Sequence, residues 1–134
     1  MNQAYKKTVL DNGLRIVTCN MGERISLSLG IWINVGGRYE AFKNKGISHF
    51  LEHLAFKGTK NYSCRQIKES IEGVGGSLNG FTSEELTCYL VKIPANYLEL
   101  AFDVLSDMVL NPTLPSSEIE KEKQVILEEI KMYK

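Results

Sequence analysis

The sequence predicts an α+β fold, in which helices pack on one side of an antiparallel sheet. Five short segments carry apolar residues in strand-like runs, and four longer segments repeat them at the helical period. The segments follow one another as three strands, two helices, two strands and two helices, an order typical of an α+β sandwich. A chain of 134 residues with 43% hydrophobic content suits one domain with one core.

Charge and composition exclude several classes of partner. Sixteen basic and sixteen acidic residues cancel, so no net charge attracts nucleic acid or an anionic membrane. No apolar run approaches the roughly 18 residues that cross a bilayer, and residues 1–20 do not resemble a signal or transit peptide. The three cysteines lack metal-ligand spacing and are typical of reduced thiols. We therefore expect a cytoplasmic protein without nucleic-acid or membrane partners.

The chain begins with three predicted strands. Residues 5–10 and 14–19 flank Asp11-Asn12-Gly13, a strong hairpin signal because Asn-Gly accepts positive φ. Residues 25–35 alternate apolar with smaller or polar side chains, as expected of a half-buried strand. Trp32 lies on the other face of this strand, where we expect it to pack under a helix.

Residues 46–58 contain both histidines of the chain and predict a helix with a functional edge. His49, Glu52 and His53 stand at positions i, i+3 and i+4, so their side chains share one helix face. We expect Gly58 to end this helix. The opposite side is predicted to be apolar and turned to the core, and consists of Ile47, Phe50, Leu51 and Leu54.

Two imidazoles one helical turn apart can hold a zinc ion. Catalytic zinc usually has three protein ligands and an open position, and a nearby carboxylate can take a proton from water. His-x-x-Glu-His is the reversed form of the HExxH motif and is typical of inverzincins. The alternative is two unrelated surface histidines or one hydrogen-bonded core histidine. We favour the metal site because the chain has two histidines and both lie in the motif.

The middle of the chain predicts a helix and two strands. Residues 63–74 repeat apolar side chains at helical spacing, and Ser63 suits the N-cap. Gly75-Gly76 ends this helix. Residues 77–82 and 86–93 then predict two strands.

Two further helices complete the predicted fold. Pro94 fits the first turn of the third helix, which Asn111-Pro112 ends. Ser117 and Glu120 form a capping box for the last helix. The predicted core stripe of the third helix consists of Leu98, Ala101, Phe102, Leu105, Met108 and Val109.

The zinc site needs a third ligand, and Asp and Glu are candidates because no further histidine exists and the cysteines are scattered. Glu122 and Glu129 lie two turns apart along one edge of the last helix, and an unpaired buried carboxylate is costly. Periodicity alone does not separate Glu128 from Glu129, and a solvated acidic face is an equal alternative. The predicted buried stripe of this helix is Ile119, Ile126, Ile130 and Tyr133.

Several separated blocks resemble a known family. They are His49-Phe50-Leu51-Glu52-His53, Phe56-Lys57-Gly58-Thr59, Gly75-Gly76-Ser77-Leu78-Asn79, Thr82-Ser83 and Val125-Ile126-Leu127-Glu128-Glu129. In this order they resemble the amino-terminal half of pitrilysin/insulinase-family zinc metallopeptidases. The mitochondrial-processing-peptidase-like bacterial enzymes are the most similar branch.

The resemblance implies a role for each acid and histidine of the motif. His49, His53 and Glu129 would be the ligands of Zn²⁺. Glu52 would be the general base that activates a zinc-bound water. Glu122 would support the site as an acid beside a ligand.

The resemblance also implies a substrate and a partner. Family members bind a peptide or unfolded protein as an added β-strand beside the zinc, which makes Asn79 and Phe81 candidate substrate contacts. The alternative for this strand is an ordinary hairpin member. Family subunits are considerably longer, so we expect residues 1–134 to be the amino-terminal part of a zinc peptidase domain that needs a carboxy-terminal half or homologous subunit. The rival function is a non-catalytic zinc- or peptide-binding subunit.

Overall fold

The computed structural model describes residues 5–132, and it confirms the α+β class with two antiparallel sheets rather than one. Strands β1 (Tyr5–Val9) and β2 (Arg15–Cys19) form the predicted hairpin. Gly13 takes the positive φ of 84° that the turn requires. Every residue of the two strands is exposed, because they form a sheet of their own.

The main sheet has three antiparallel strands in the order β3-β5-β4. Strand β3 spans Ser26–Ile33, β4 spans Ser77–Thr82 and β5 spans Thr87–Pro94. The central strand β5 is the most buried, whereas β4 alternates exposed and half-buried residues along its length. Within the described residues β4 pairs on one side alone, so its other edge is open.

Four α-helices complete the fold of residues 5–132: α1 (Ile47–Ala55), α2 (Cys64–Glu72), α3 (Leu98–Leu110) and α4 (Ser116–Met132). Helices α1, α2 and α3 contact the main sheet, and α4 contacts α1. No helix among residues 5–132 is long and apolar enough to cross a membrane. One core joins the main sheet to α1, α2 and α3, and is formed by Ala55, Ile67, Ile71, Tyr89, Val91, Ile93, Ala101, Val104, Leu105 and Met108.

The prediction that Trp32 packs under a helix is wrong. The helices cover the opposite face of β3, so the indole is 63% exposed and meets Phe81 edge to face with ring centroids 5.8 Å apart. The indole also lies over Gly30, where a Cβ atom would come within 2.9 Å of Nε1. The alternation of apolar and polar side chains predicted two different faces of β3. It did not predict which of the two faces the helices cover.

Helix α1 is shorter than predicted, and its apolar side is only partly buried. It ends at Ala55, while Gly58 forms an isolated bridge with Ser63 in the following loop. Leu54 is buried, but Ile47 and Leu51 are 40% and 44% exposed. The helix instead buries Ser48 and Glu52.

Helix α2 confirms the predicted cap. The Ser63 hydroxyl accepts from the Gln66 backbone N–H at 3.3 Å, and the Gln66 side chain accepts from the Ser63 N–H at 2.8 Å. This capping box satisfies two backbone donors at the helix start. The helix ends at Glu72, before the predicted residue 74.

Helix α3 begins later than predicted. Pro94 is the last residue of β5, and a 3₁₀ turn over Ala95–Tyr97 separates it from the helix. Within the predicted stripe, Leu98 and Phe102 are 49% and 59% exposed. Val104 is fully buried in their place.

The predicted capping box of α4 is wrong. The helix already begins at Ser116, and the backbone N–H groups of Glu118 and Ile119 donate to the Pro115 carbonyl. Of the predicted stripe, Ile126 is buried and Ile130 is 49% exposed. The predicted stripe residue Tyr133 lies outside the described residues.

Candidate metal centre

Helix α1 places the two histidines against each other. The Nε2 atoms of His49 and His53 lie 3.0 Å apart, and the rings meet edge to face with centroids 4.6 Å apart. Both side chains are partly exposed, and both line the same cavity. The spacing that the sequence indicated therefore brings two imidazole nitrogens to one point.

Helix α4 brings Glu129 to the same point because it packs against α1. Glu129 Oε2 lies 3.7 Å from His49 Nε2 and 3.9 Å from His53 Nε2. One donor atom from each residue lies within 4.8 Å of the other two. Glu128 instead pairs with Lys131 at 2.6 Å and is 68% exposed. The structure thus separates the two acids that periodicity left equivalent.

The donor set fits a zinc ion. Zinc takes histidine nitrogen and carboxylate oxygen at about 2.0–2.2 Å in tetrahedral geometry, which separates neighbouring ligand atoms by about 3.3–3.6 Å. The distances of 3.0, 3.7 and 3.9 Å lie on both sides of that value. Two imidazoles and one carboxylate also leave the fourth position of a tetrahedron open, as catalytic zinc requires.

Glu122 contacts one of the histidines. Its Oε1 lies 3.1 Å from His53 Nδ1, so His53 donates there when Nδ1 carries the proton, which turns the Nε2 lone pair towards the site. Its Oε2 lies 2.7 Å from Lys57 Nζ. Burial alone would raise the pKa of Glu122, but the hydrogen bonds from Lys57 and His53 lower it overall. The predicted supporting acid thus lies directly behind a candidate ligand.

Glu52 lies on the buried side of α1, 7% exposed, against strand β4. Burial raises the pKa of Glu52, and the two neighbouring histidines oppose that rise. A Cβ atom on Gly80 would come within 2.7 Å of Glu52 Oε1, so the carboxylate rests against bare backbone. A carboxylate with a raised pKa suits a group that accepts and returns protons near neutral pH.

The start of α1 is held by an acid that the sequence analysis missed. Glu40 accepts from the backbone N–H of Gly46 at 2.6 Å and from that of Ser48 at 2.8 Å. The hydrogen bond from Ser48, with that from Gly46, lowers the pKa of Glu40 although burial opposes it. Glu40 precedes the helix by several residues, so no cap motif marks it in the sequence.

A cavity of about 600 Å³ opens over these groups and runs along β4. Asn79 and Phe81 both line it, and Asn79 Oδ1 accepts from the Gly80 N–H at 2.9 Å. Their contact with a substrate stays a prediction. Lys57 and Lys68, for which the sequence predicted no role at the site, line the same cavity.

Comparison with known proteins decides the family. The sequence pattern of the family described as "Insulinase (Peptidase family M16)" matches residues 15–134. The chain belongs to the M16 peptidase family.

Curated relatives of this M16 chain include bacterial and mitochondrial proteins. It is 47% identical over 128 residues to the uncharacterized zinc protease YmxG of Bacillus subtilis, covering 96% of this chain and 31% of the relative. Over 123 residues it is 46% identical to the rat mitochondrial-processing peptidase subunit beta and 44% identical to rat cytochrome b-c1 complex subunit 1. Those alignments cover 92% of this chain and 25% of each relative. The chain thus spans about a third of YmxG and a quarter of the two rat proteins.

Solved structures give the same result for the fold. A protease from Helicobacter pylori superposes with a TM-score of 0.89 at 29% identity, over 95% of this chain and 31% of that chain. Pitrilysin superposes with a TM-score of 0.86 at 27% identity, over 99% of this chain and 14% of that chain. The prediction that this chain is the amino-terminal portion of a pitrilysin/insulinase-family protein is confirmed.

Proposed function

We propose that this M16 chain is the metal-binding portion of a zinc-dependent metalloendopeptidase. One observation carries the proposal: donor atoms of His49, His53 and Glu129 converge, and buried Glu52 stands on the same helix face beside the cavity. The naming of relatives such as YmxG as zinc proteases supports it.

The residues would divide the chemistry of peptide hydrolysis among them. Zinc, when bound to His49, His53 and Glu129, supplies Lewis acidity that polarises a carbonyl and lowers the pKa of water. Glu52 takes the proton of the attacking water on its carboxylate and returns it to the leaving amine. Glu122 holds His53 in the tautomer that offers Nε2.

The substrate would be an extended peptide or unfolded protein that adds a strand to β4. The open edge of β4 runs along the cavity, and backbone hydrogen bonds to such an edge bind peptides with little regard to sequence. Asn79 and Phe81 would contact the side chains of that peptide. The missing side chain of Gly80 leaves room for the Glu52 carboxylate against the same strand.

We further propose that residues 1–134 form the amino-terminal part of a longer peptidase. The chain spans 31% of YmxG, so the remaining length of such a protein, or a homologous subunit, would complete the substrate site. We therefore expect the isolated chain to show weak or no cleavage. Cytoplasmic localisation stays a prediction.

The test of the base is Glu52→Gln in the full-length protein. This nearly isosteric change removes the proton acceptor but none of the three metal donors. Zinc content should stay at one ion per chain, while cleavage of a quenched fluorescent peptide falls by about 10²–10⁴-fold. Glu128→Gln, on the exposed side of α4, is the matched control and should cleave normally. Cleavage by the Glu52→Gln protein at the wild-type rate would refute the assignment of the base.

A second candidate is a non-catalytic subunit that binds zinc or peptide. The 44% identity to cytochrome b-c1 complex subunit 1, whose name describes part of a complex and not a protease, favours it. Stoichiometric zinc in the full-length protein together with no chelator-sensitive cleavage would support this candidate over the peptidase.

A further inference from the structure

Lys57 lines the cavity of the metal centre and has no part in the function proposed above. Its Nζ lies 2.7 Å from Glu122 Oε2, and its side chain is 25% exposed. The other oxygen of the same carboxylate meets His53 Nδ1 at 3.1 Å. Lys57, Glu122 and His53 therefore form a continuous hydrogen-bonded chain that ends on a candidate ligand.

From this geometry we infer that Lys57 is a positioning residue for the metal centre: it fixes the Glu122 carboxylate, which in turn fixes the His53 ring. The inference rests on the proposed zinc site. The Lys57 ammonium holds one oxygen of the Glu122 carboxylate, and the other oxygen lies against His53 Nδ1. Groups that hydrogen-bond to a ligating histidine set its tautomer and its orientation.

The backbone around Lys57 is held firmly enough for this role. Its N–H donates to the Leu54 carbonyl at 3.0 Å, which continues the last turn of α1. Phe56 on one side packs against Tyr89 with ring centroids 6.0 Å apart. Gly58 on the other side is buried and accepts from the Thr113 N–H at 3.1 Å. These contacts fix the backbone from which the Lys57 side chain reaches Glu122.

The charge of the cavity also favours this role. Glu52, Glu122 and Glu129 line it, and Glu122 is only 5% exposed. A carboxylate so buried requires a compensating charge or hydrogen bonds. Lys68 lines the same cavity on α2, but no ion pair joins it to any residue in the 5–132 range. Lys57 therefore acts on Glu122 specifically, and Lys68 offers a control for a general loss of positive charge.

The test measures zinc affinity by chelator competition in the full-length protein. Lys57→Met should weaken zinc binding about tenfold, and Glu122→Ala should weaken it about 10–100-fold, as for other partners of ligating histidines. Because Lys57 acts through Glu122, the double variant should bind zinc no more weakly than Glu122→Ala alone. Lys57→Arg, which keeps the charge, should retain most of the wild-type affinity, and Lys68→Met should match the wild type.

The outcomes separate this inference from the proposed function. A zinc affinity of Lys57→Met equal to that of the wild type would overturn the inference alone, and so would a further tenfold loss in the Glu122→Ala background. A raised KM at unchanged zinc affinity would also overturn it, since Lys57 would then contact the substrate. A zinc affinity of Lys57→Arg as low as that of Lys57→Met would also overturn the inference. If the wild-type protein bound no zinc, the proposed function and this inference would both fail.

Discussion

At the scale of single residues, one step along a helix separates a candidate ligand from a solvated acid. Glu128 and Glu129 are adjacent, but successive residues of a helix point about 100° apart. Glu129 consequently reaches the two histidines, whereas Glu128 reaches Lys131 on its own helix. A substitution of Glu128 therefore serves as a control for the same substitution of Glu129.

Replacing each acid of this pair by glutamine should give opposite results. Glu129→Gln removes a charged metal donor. Zinc affinity should therefore fall by more than the roughly hundredfold loss seen when a residue that hydrogen-bonds to a metal ligand is replaced. Glu128→Gln should leave zinc affinity unchanged. Equilibrium dialysis with a zinc indicator measures both. Equal losses in the two variants would show that the acids act through general charge rather than through coordination.

Residue patterns predicted the local part of this site but not its tertiary part. His49, Glu52 and His53 share a face by helical period alone, so their proximity follows from the sequence. The choice of Glu129 depends on how α4 packs against α1. The periodicity of residues within one helix does not predict that packing. The same limit explains the error at Trp32, since alternation does not say where the helices lie.

At the scale of elements, the helix that carries the histidines depends on a cap from outside itself. Its N-cap residue is Gly46 in the left-handed region, at φ 90°, which offers no side chain to the free N–H groups. Glu40 supplies the missing acceptor through both of its oxygens. The placement of the motif thus depends on a loop that precedes the helix.

Glu40→Gln should lower the free energy of unfolding by about 0.5–2 kcal/mol, as for other lost caps. The pKa of Glu40 in the fold lies below its usual 4.5, so this stabilisation is complete above that pH. It is lost as pH falls through the folded pKa. Urea denaturation at several pH values should therefore show wild type and variant converging in acid. An unchanging difference would contradict the cap, and Glu23→Gln in an exposed loop is the control.

At the scale of the whole molecule, the described chain consists of a packed body and a separate hairpin. The central strand β5 is buried under α1 and α3, whereas β1 and β2 are exposed along their whole length. An isolated two-stranded hairpin is at best marginally stable in water. Stability should therefore be unevenly distributed along the chain.

Hydrogen exchange should show this difference directly in the 134-residue chain. Amides of β1 and β2 should exchange with little protection, while those of β5 should exchange last, close to the rate of global unfolding. Amide exchange followed by mass spectrometry on peptides from both regions measures it. Equal protection in the hairpin and in β5 would contradict the separation of the two sheets.

The most direct measurement of the metal centre is an anomalous difference map at the zinc edge from crystals of the zinc-loaded, full-length protein. We expect one peak about 2.0–2.2 Å from His49 Nε2, His53 Nε2 and a Glu129 carboxylate oxygen, with a fourth position open to solvent. A zinc peak coordinated by other side chains, or none between these three residues, would contradict it.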